Sequence, residues 1–569
     1  MMLLNADAPV SRLSADVLAI IFDIAALDSP TCANPPHARH TYDLGWIRLT
    51  HVSRRWREAA LGRAGLWTTI NLSQQSARCS AEMLKRSRDA PLVLSYIAPP
   101  PEPDHLLRPI VLQQVLRFHP RCRELHLQAD YDVVEDTLDA VSHPSLSSLH
   151  LENTEQGADT PLLPAHLFSD APALTSLSLH GFIIPWGAPV LSQLTRLELR
   201  VDPNSCLQLV TVAQLNALFQ RMSNVHQIFL DNVYPMDMYP DPASSSSSLS
   251  LSDVLVHLPA SLAHIHVGGY LPEKEIVEFA SILVPAPQSS TRISIDIRRP
   301  IAPKPIVPYI THFFAHHVAA TPTPPKALSF QMSAPNAYSP VKIRAGVRFS
   351  SSSRAGDGGG SEDAWREDDV QATWYLEPYQ LASATTALYG IPLDEIVDLR
   401  LDVGSVADVV ALLHRTTKAH RVHCTERTLG GIVGAFSAAD DAETGGWLTL
   451  PLLESVCIVS DDRPSASARS ADYEDLVTCL DARRIRGASL RELVLPKKRG
   501  KEPWFDAMCA VVPRVAYCSI YPSLFPPTHA TGDRLGRDTR DRDGAFLGRH
   551  AMEKSAMQLR QANCGMCCL

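Results

Sequence analysis

The sequence lacks any apolar run long enough to cross a membrane. Its best stretch, VLAIIFDIAAL at 17–27, is broken by Asp23, whereas a spanning helix needs about 20 predominantly apolar residues. The first ten residues also lack the basic and apolar segments of a secretory signal. We therefore expect no stable membrane association and a cytoplasmic or nuclear location.

An excess of positive charge and a regular cysteine spacing are missing too. The chain has 52 lysines and arginines against 61 aspartates and glutamates, a formal net charge of −9, which argues against a nucleic-acid partner. Its 12 cysteines are scattered along 569 residues, so we expect reduced thiols instead of a disulfide framework.

Enzyme motifs are also absent. The sequence has no G-x-S-x-G, no P-loop and no H-E-x-x-H, and GDGGGS at 356–361 lies in a flexible Ser/Gly-rich stretch. The histidines of HFFAHH at 312–317 and HRVHC at 420–424 have no second ligand pair nearby. We predict that the protein is not an enzyme and has no cofactor or metal. A hydrolase in the C-terminal half is kept as an alternative.

A recurrent strand pattern is what the sequence does have. The motif L-x-x-L-x-L occurs at 146–151, 174–179, 194–199 and 490–495, where chance would give about one copy. Looser copies begin at 122, 225, 262, 396 and 453. The fourth positions from Leu149 to Ile265 are separated by 28, 20, 31 and 37 residues. The first two steps suit leucine-rich repeats of about 20–29 residues, and the later steps imply irregular units with insertions.

Alternation along such strands places the leucines on one face and the intervening residues on the other. Stacked strands would then form a concave, polar surface, which solenoids of this kind use for binding. From this surface we predict the target-binding residues His150, Glu152, Ser178, His180, Arg196, Glu198, Arg200, Phe229 and His266. A plain solvated face is the alternative.

The pattern departs from regular leucine-rich repeats after each strand. Such repeats usually carry Asn or Cys at the ninth position. Here Thr154, Phe182, Asp202 and Lys498 stand at that position. Regular curvature is therefore not predicted.

Residues 11–72 are predicted to form a compact helical module. In SRLSADVLAIIFDIAAL, apolar residues recur at helical spacing and form one broad face, and Ser14 can cap the helix start. After a turn-rich loop, a second helix at about 45–61 puts Val52 and Trp56 on one stripe. The residues by themselves also fit an ordinary helical hairpin that is closed by its tryptophans.

This module resembles the F-box of fungal-type F-box proteins, which docks onto the Skp-type adaptor of cullin ubiquitin ligases. The matching residues are Leu13, Val17, Leu18, Ile21, Phe22, Leu49, Val52, Arg55, Trp56, Leu66 and Trp67. The sequence departs from the family pattern at Ser14, Asp16 and Ser53, where Pro, Glu and Cys are usual, and in a long loop between the helices. The resemblance implies adaptor contacts for Leu13, Val17, Ile21, Phe22, Leu49, Val52, Trp56 and Trp67.

We therefore predict an α/β protein with an F-box-like helical module at 11–72 and an irregular, leucine-rich-repeat-like solenoid at 73–299 and 371–525. A partly disordered Pro/Ser/Gly-rich linker at 300–370 would divide the solenoid, and a disordered tail would cover 526–569. The resemblance implies a substrate-recognition subunit of a Skp–cullin–F-box ubiquitin ligase. Its partners would be the adaptor, through it a cullin, and an unidentified target protein. The alternative is a non-catalytic interaction scaffold without a ubiquitin-ligase role.

Overall fold

The fold is seen in a computed structural model of the chain. The structure describes residues 13–29, 45–73, 77–97, 119–139, 144–155, 160–169, 171–202, 210–235, 255–269, 273–286, 291–297, 307–320, 325–332, 341–349, 370–376, 388, 391–403, 406–438, 450–459, 470–496 and 502–518. The predicted tail at 526–569 lies outside these residues.

Nineteen strands are found in the described part of the chain. They are β1 Thr69–Asn71, β2 Leu92–Ile97, β3 Cys122–Ala129, β4 Ser148–Asn153, β5 Ser176–His180, β6 Arg196–Arg200, β7 Gln227–Asp231, β8 Val256–His257, β9 His264–Gly269, β10 Leu283–Val284, β11 Arg292–Ile297, β12 Ala327–Met332, β13 Val341–Arg348, β14 Val370–Leu376, β15 Asp398–Asp402, β16 Arg421–Thr425, β17 Ser455–Val459, β18 Glu492–Pro496 and β19 Arg514–Cys518.

Eleven α-helices accompany them in the same described ranges. They are α1 Ala15–Asp28, α2 Arg54–Gly62, α3 Ala77–Arg86, α4 Tyr131–Asp139, α5 Val212–Arg221, α6 Glu273–Ser281, α7 Val307–Ala320, α8 Val406–Arg415, α9 Leu429–Ala438, α10 Ser470–Ile485 and α11 Phe505–Val511. Short 3-10 helices include Gly45–His51, Ala64–Trp67 and Pro189–Gln193. No helix in the described ranges has both the length and the apolar character that crossing a membrane requires.

Seventeen of the strands form one sheet, and β8 pairs with β10 separately. The hydrogen-bonded order is β1 to β7, then β9, β11, β14, β13, β12 and β15 to β19. All neighbours are parallel except β13, which is antiparallel to both β12 and β14. The nine sequence motifs all fall on strands of this sheet, which confirms the predicted strands.

A ladder of aliphatic side chains explains why these strands align. The fourth motif positions share one register across β3 to β11 and are at most 1% exposed. They are Leu125, Leu149, Leu177, Leu197, Ile228, Ile265 and Ile293. Because a one-residue slip would turn every such side chain to the opposite face, the ladder fixes the register.

The length of each connection decides what covers this ladder. The step of 20 residues between Leu177 and Leu197 leaves room only for the 3-10 helix Pro189–Gln193. The next step of 31 residues holds helix α5, which begins with a capping box between Thr211 and Gln214. Apolar residues of the helices join the strand leucines in one hydrophobic core.

Two asparagine side chains join neighbouring turns by hydrogen bonds. Both stand one residue before the ninth motif position, where Asn or Cys is usual. Asn153 Nδ2 donates to the carbonyl of Gly181 at 3.3 Å, and Asn232 Nδ2 donates to that of Val201 at 2.8 Å. Gly269, at φ +137°, lies so close to Asn232 that a Cβ there would be 2.0 Å from its Oδ1. In these two repeats, the asparagine that joins neighbouring turns therefore stands at the eighth motif position and not at the ninth.

The region 300–370 differs from the predicted linker. Helix α7 and strands β12 and β13 lie within it, and β14 begins at its end. The chain passes from β11 to β12, which lies three positions further along the sheet, and β13 and β14 then fill the two positions between them. The two predicted halves, 73–299 and 371–525, are thus joined in one continuous sheet.

The second predicted helix also differs from expectation. It is divided into the 3-10 helix Gly45–His51 and helix α2, because Ser53 adopts an extended backbone and its hydroxyl accepts the Trp56 N–H at 3.3 Å. A serine at this point is a good helix N-cap. Val52 therefore precedes the helix instead of lying on its stripe.

Candidate binding surfaces

Helix α1 leaves one apolar stripe in solvent. Its buried side is formed by Leu18 and Phe22, both 0% exposed. The other stripe, at three- and four-residue spacing, consists of Val17 (41% exposed), Ile20 (57%), Ile24 (61%) and Leu27 (87%). We call these four residues the α1 stripe. The apolar face read from the sequence is therefore wider than the part that the chain itself covers.

An aromatic cluster fills the inside of the helical module. The ring of Phe22 lies 6.0 Å from that of Trp46 and 5.8 Å from that of Trp56, in edge-to-face geometry. Trp46 in turn lies 5.0 Å from Trp67. Edge-to-face pairs at such distances stabilise a core beyond simple area burial.

Three of the residues expected to contact the adaptor thus face their own chain. Phe22, Trp56 and Trp67 are 0, 7 and 2% exposed, which differs from the prediction of direct contacts. Trp46 belongs to the same cluster, and the sequence analysis missed it. An aromatic residue just before the second helical segment was the available signal.

Trp67 connects the module to the sheet. Its indole N–H donates to the carbonyl of Ala60 at 2.9 Å, and the guanidinium of Arg86 on α3 lies 4.4 Å from its ring centre. Strand β1 begins two residues later, at Thr69. The tryptophan therefore closes the module and orients the chain that enters the sheet.

The remaining predicted adaptor contacts are at least partly accessible. Leu13, Ile21 and Leu49 are half-buried against the core. Val17 belongs to the α1 stripe, and Val52 is 49% exposed. Only these five of the eight residues can reach a partner without opening the module.

On the face of the sheet opposite the aliphatic ladder, strands β3 to β11 carry three columns of mostly polar residues, which we call the polar face. The central column is His126, His150, Ser178, Glu198, Phe229, His266 and Ser294. The column toward the strand ends is Gln128, Glu152, His180, Arg200, Asp231, Gly268 and Asp296. The column toward the strand starts is Glu124, Ser148, Ser176, Arg196, Gln227, His264 and Arg292. All nine predicted target-binding residues lie in these columns.

Hydrogen bonds run across the columns from strand to strand. His150 Nδ1 and Ser178 Oγ are 2.9 Å apart, and Ser178 Oγ lies 3.3 Å from His180 Nε2. The same Nε2 lies 3.2 Å from Glu198 Oε1. Three strands are therefore linked through side chains as well as through their backbones.

This series of side-chain hydrogen bonds continues through Arg196 and Arg200. Arg196 donates to Glu198 Oε2 at 3.1 Å, and Arg200 donates to Oε1 at 2.9 Å. Arg200 also lies 3.4 Å from Asp231 Oδ2, whose other oxygen is 3.6 Å from His266 Nε2. Glu198 and Asp231 are thereby held in place although their side chains are only 10 and 4% exposed.

Electrostatics follow from this pairing. Burial alone would raise the pKa of Glu198, but the hydrogen bond from His180 and the charges of Arg200 and Arg196 outweigh it and lower that pKa below its usual range. Burial lowers the pKa of His150 to about 3, with the neighbouring His180 adding to the effect. The polar face thus carries an ionised carboxylate at Glu198 and, two strands away, a neutral imidazole at His150.

Ser178, His180 and Glu198 do not form a nucleophilic triad. In such a triad the histidine binds the serine through one ring nitrogen and the carboxylate through the other. Here both the serine and the glutamate lie against the same atom, His180 Nε2. These three side chains therefore do not have the geometry of a triad.

Phe229 marks an aromatic part of the polar face. Its ring lies 5.4 Å from that of His264 and 5.9 Å from that of His266, and the guanidinium of Arg196 lies 4.9 Å from its centre. Ser294 accepts or donates hydrogen bonds to both histidines, at 2.9 and 3.0 Å. A half-buried aromatic ring beside an arginine is the composition that binding hot spots favour.

Four further residues of this surface were not in the predicted target-binding set. Asp231 and His264 lie on strands that carry predicted residues, and His126 and Ser294 extend the surface on either side. Three of these positions follow from the same alternation, whereas Ser294 lies on a strand that carries no recognised motif. Periodicity could therefore find His126, Asp231 and His264, whereas only the register of the strands reveals Ser294.

The comparisons with known proteins add similarity to solved structures. Neither a protein-family model nor a curated protein matches the chain. Among solved structures, the chain is similar to the leucine-rich repeat-containing protein LegL7 from Legionella pneumophila. The similarity has a TM-score of 0.26 and 12% identity and covers 62% of this chain and 93% of that one. The chain itself is a mixed α/β protein with a largely parallel sheet.

Proposed function

We propose that the chain is a substrate-recognition subunit of a Skp–cullin–F-box ubiquitin ligase. The α1 stripe would dock on the Skp-type adaptor, and the polar face would bind the target protein. The observation that carries this proposal is the exposure of four aliphatic side chains on one helix whose opposite side is fully packed.

The free energy of burying apolar side chains favours a partner that covers the α1 stripe. Full burial of a Val, Leu or Ile side chain stabilises by about 1.5–3 kcal/mol. Ile20, Ile24 and Leu27 are each more than half exposed, so a partner that covers them gains several kcal/mol in total. The resemblance of this segment to the F-box supplies the occupant, since the adaptor offers that module an apolar surface.

The polar face supports a role in target binding. Its charged groups are fixed in position by their neighbours before any partner arrives, and a preorganised surface loses less entropy on binding. Arg196 and Phe229 are also the kind of residue on which binding energy concentrates.

No bond chemistry is assigned to this chain in the proposal. A recognition subunit acts by holding its target near a ubiquitin-charged enzyme, which raises the effective concentration of the reacting groups. The contacts of Ser178 support this view, because it shares one nitrogen of His180 with Glu198, unlike the serine of a catalytic triad. The polar, paired character of the face suits recognition of a protein surface.

Co-purification with a Skp-type adaptor tests the proposal. We expect the full-length chain to form a stoichiometric complex, and the double variant Ile20→Asp/Ile24→Asp to bind at least about 100-fold more weakly, because two charges would enter an apolar interface. Ile485→Asp is the matched control, since Ile485 is 74% exposed on the remote helix α10.

Two results would contradict the proposal. One is a wild-type chain that does not bind the adaptor, which would favour the alternative of an interaction scaffold without a ligase role. The other is a double variant that binds as tightly as the control. Hydrogen exchange of residues 15–28 must show in each case that α1 is still formed.

A further inference from the structure

We propose that His150, Glu152 and His180 form a binding site for one divalent transition-metal ion, with zinc as the best match. One ligand atom of each residue lies within 4.8 Å of those of the other two. Among the described residues this is the one such group of three. All three side chains are half-buried, so the site is sheltered and still open to an ion from solution.

The register of the sheet creates this group. Glu152 on β4 and His180 on β5 are direct neighbours in the parallel pair, and His150 lies two residues before Glu152 on the same side of β4. The two strands are separated by a connection that places the ligands 28 and 30 residues apart in sequence. A motif search at short spacing therefore passes over them.

The donor set selects the metal. Two imidazoles and one carboxylate are the ligands of many open zinc sites and of the non-haem iron facial triad. Calcium and magnesium prefer sets made of oxygen alone. Zinc binds such ligands more tightly than divalent iron. A tetrahedral zinc ion puts its ligand atoms about 3.4 Å apart, so the three side chains close around the ion by about 1 Å.

Neighbouring side chains already orient the three ligands. Ser178 Oγ is 2.9 Å from His150 Nδ1, and Glu198 Oε1 is 3.2 Å from His180 Nε2. Gln128 Nε2 donates to Glu152 Oε1 at 3.3 Å. Histidines that bind metals usually donate the other ring N–H to a carboxylate, a backbone carbonyl or water, and Glu198 is such a partner for His180. The ion would replace some of these bonds and leave a fourth position for water or for a donor from a bound protein.

A second histidine-rich part of the polar face provides an internal control. His264 and His266 lie near Asp231 and Phe229, but their ligand atoms do not meet the same proximity condition within the described chain. Substitution there removes histidines from the same surface without touching the proposed site.

Zinc titration of the purified, metal-free full-length protein tests the site. The cysteines of CGMCCL at 564–569 could bind zinc too, so all variants carry Cys564→Ser, Cys567→Ser and Cys568→Ser. Calorimetry should show one zinc equivalent, and cobalt should give the visible spectrum of a tetrahedral nitrogen and oxygen site. His150→Ala and His180→Ala should each weaken zinc binding about 100-fold, and Ser178→Ala about 10-fold.

His264→Ala and His266→Ala should bind zinc as tightly as the protein that carries only the three cysteine substitutions. The proposal would be overturned if the protein with only the cysteine substitutions bound no stoichiometric zinc, or if His150→Ala or His180→Ala bound zinc as tightly as that protein. Thermal unfolding in the presence of a chelator must show that these variants stay folded. The test uses the protein alone, so its outcome is independent of adaptor or target binding.

Discussion

Helix α1 leaves four aliphatic side chains in solvent, whereas the buried charges of the polar face pair with one another across neighbouring strands. The two regions therefore gain from partners in different ways. A partner of α1 adds hydrophobic burial that the chain alone does not achieve. A partner of the polar face must exchange existing hydrogen bonds for new ones, so it gains specificity more than affinity.

The largest expected effect concerns the inside of the helical module. Phe22→Ala should destabilise the segment by about 3–5 kcal/mol, because it empties the centre of the aromatic cluster. Hydrogen exchange of residues 15–28 would measure this as a loss of protection. Adaptor binding would also be lost, but through unfolding of the module.

The matched control for this prediction is Ile24→Ala. Ile24 is 61% exposed, so its truncation should change local stability by no more than about 0.5 kcal/mol. The same change should weaken adaptor binding. If both variants unfolded the module equally, the division of α1 into a packed side and a stripe for docking would be wrong.

A second prediction addresses the polar face. Glu198→Gln should destabilise the sheet around β6 by about 2–3 kcal/mol, because it removes the charge that Arg196 and Arg200 share in a largely buried place. Glu492→Gln is the control, since Glu492 pairs at 3.1 Å with an arginine that is 75% exposed. That pair should contribute less than about 1 kcal/mol.

Hydrogen exchange of the amides in β6 and β18 would measure both effects. Equal losses at the two positions would show that pairing on the polar face is no stronger than at the surface. A loss at β6 alone would support a surface that is fixed before its partner arrives.

Sequence periodicity predicted the sheet better than it predicted the two surfaces. The positions from Leu149 to Ile265 fell into one ladder as expected, since alternation and register are linked. The strands β12 and β13 were missed because proline-rich flanks at 300–340 masked short strands that carry no motif.

The surfaces depended on information that periodicity does not contain. Helical spacing gives one broad apolar face between Leu13 and Leu27, but only the packing of Phe22 against Trp46 and Trp56 shows which side of the helix is covered. Likewise, the meeting of His150 with His180 depends on the pairing of strands that lie 28 residues apart.

Acid should separate the helical module from helix α7, which packs beside the sheet, and this is the smallest effect that we expect. Burial lowers the pKa of His317 on α7 to about 4, with His316 adding to this and a hydrogen bond to the Ala280 carbonyl opposing it. The unfolded chain, with a histidine pKa near 6.5, binds a proton that the folded chain resists. Stability from this group is complete above pH 6.5 and falls by about 2 kcal/mol at pH 5.

Within the described part of 13–73, by contrast, the buried side chains include no titratable group. Hydrogen exchange at pH 7 and pH 5, corrected for the intrinsic exchange rate, should therefore show protection falling in 307–320 more than in 15–28. His317→Gln should reduce that difference, compared with the same change at the exposed His312 of the same helix. An acid response between pH 7 and pH 5 that persists in His317→Gln would mean that another histidine with a lowered pKa, such as His316 or His150, causes it.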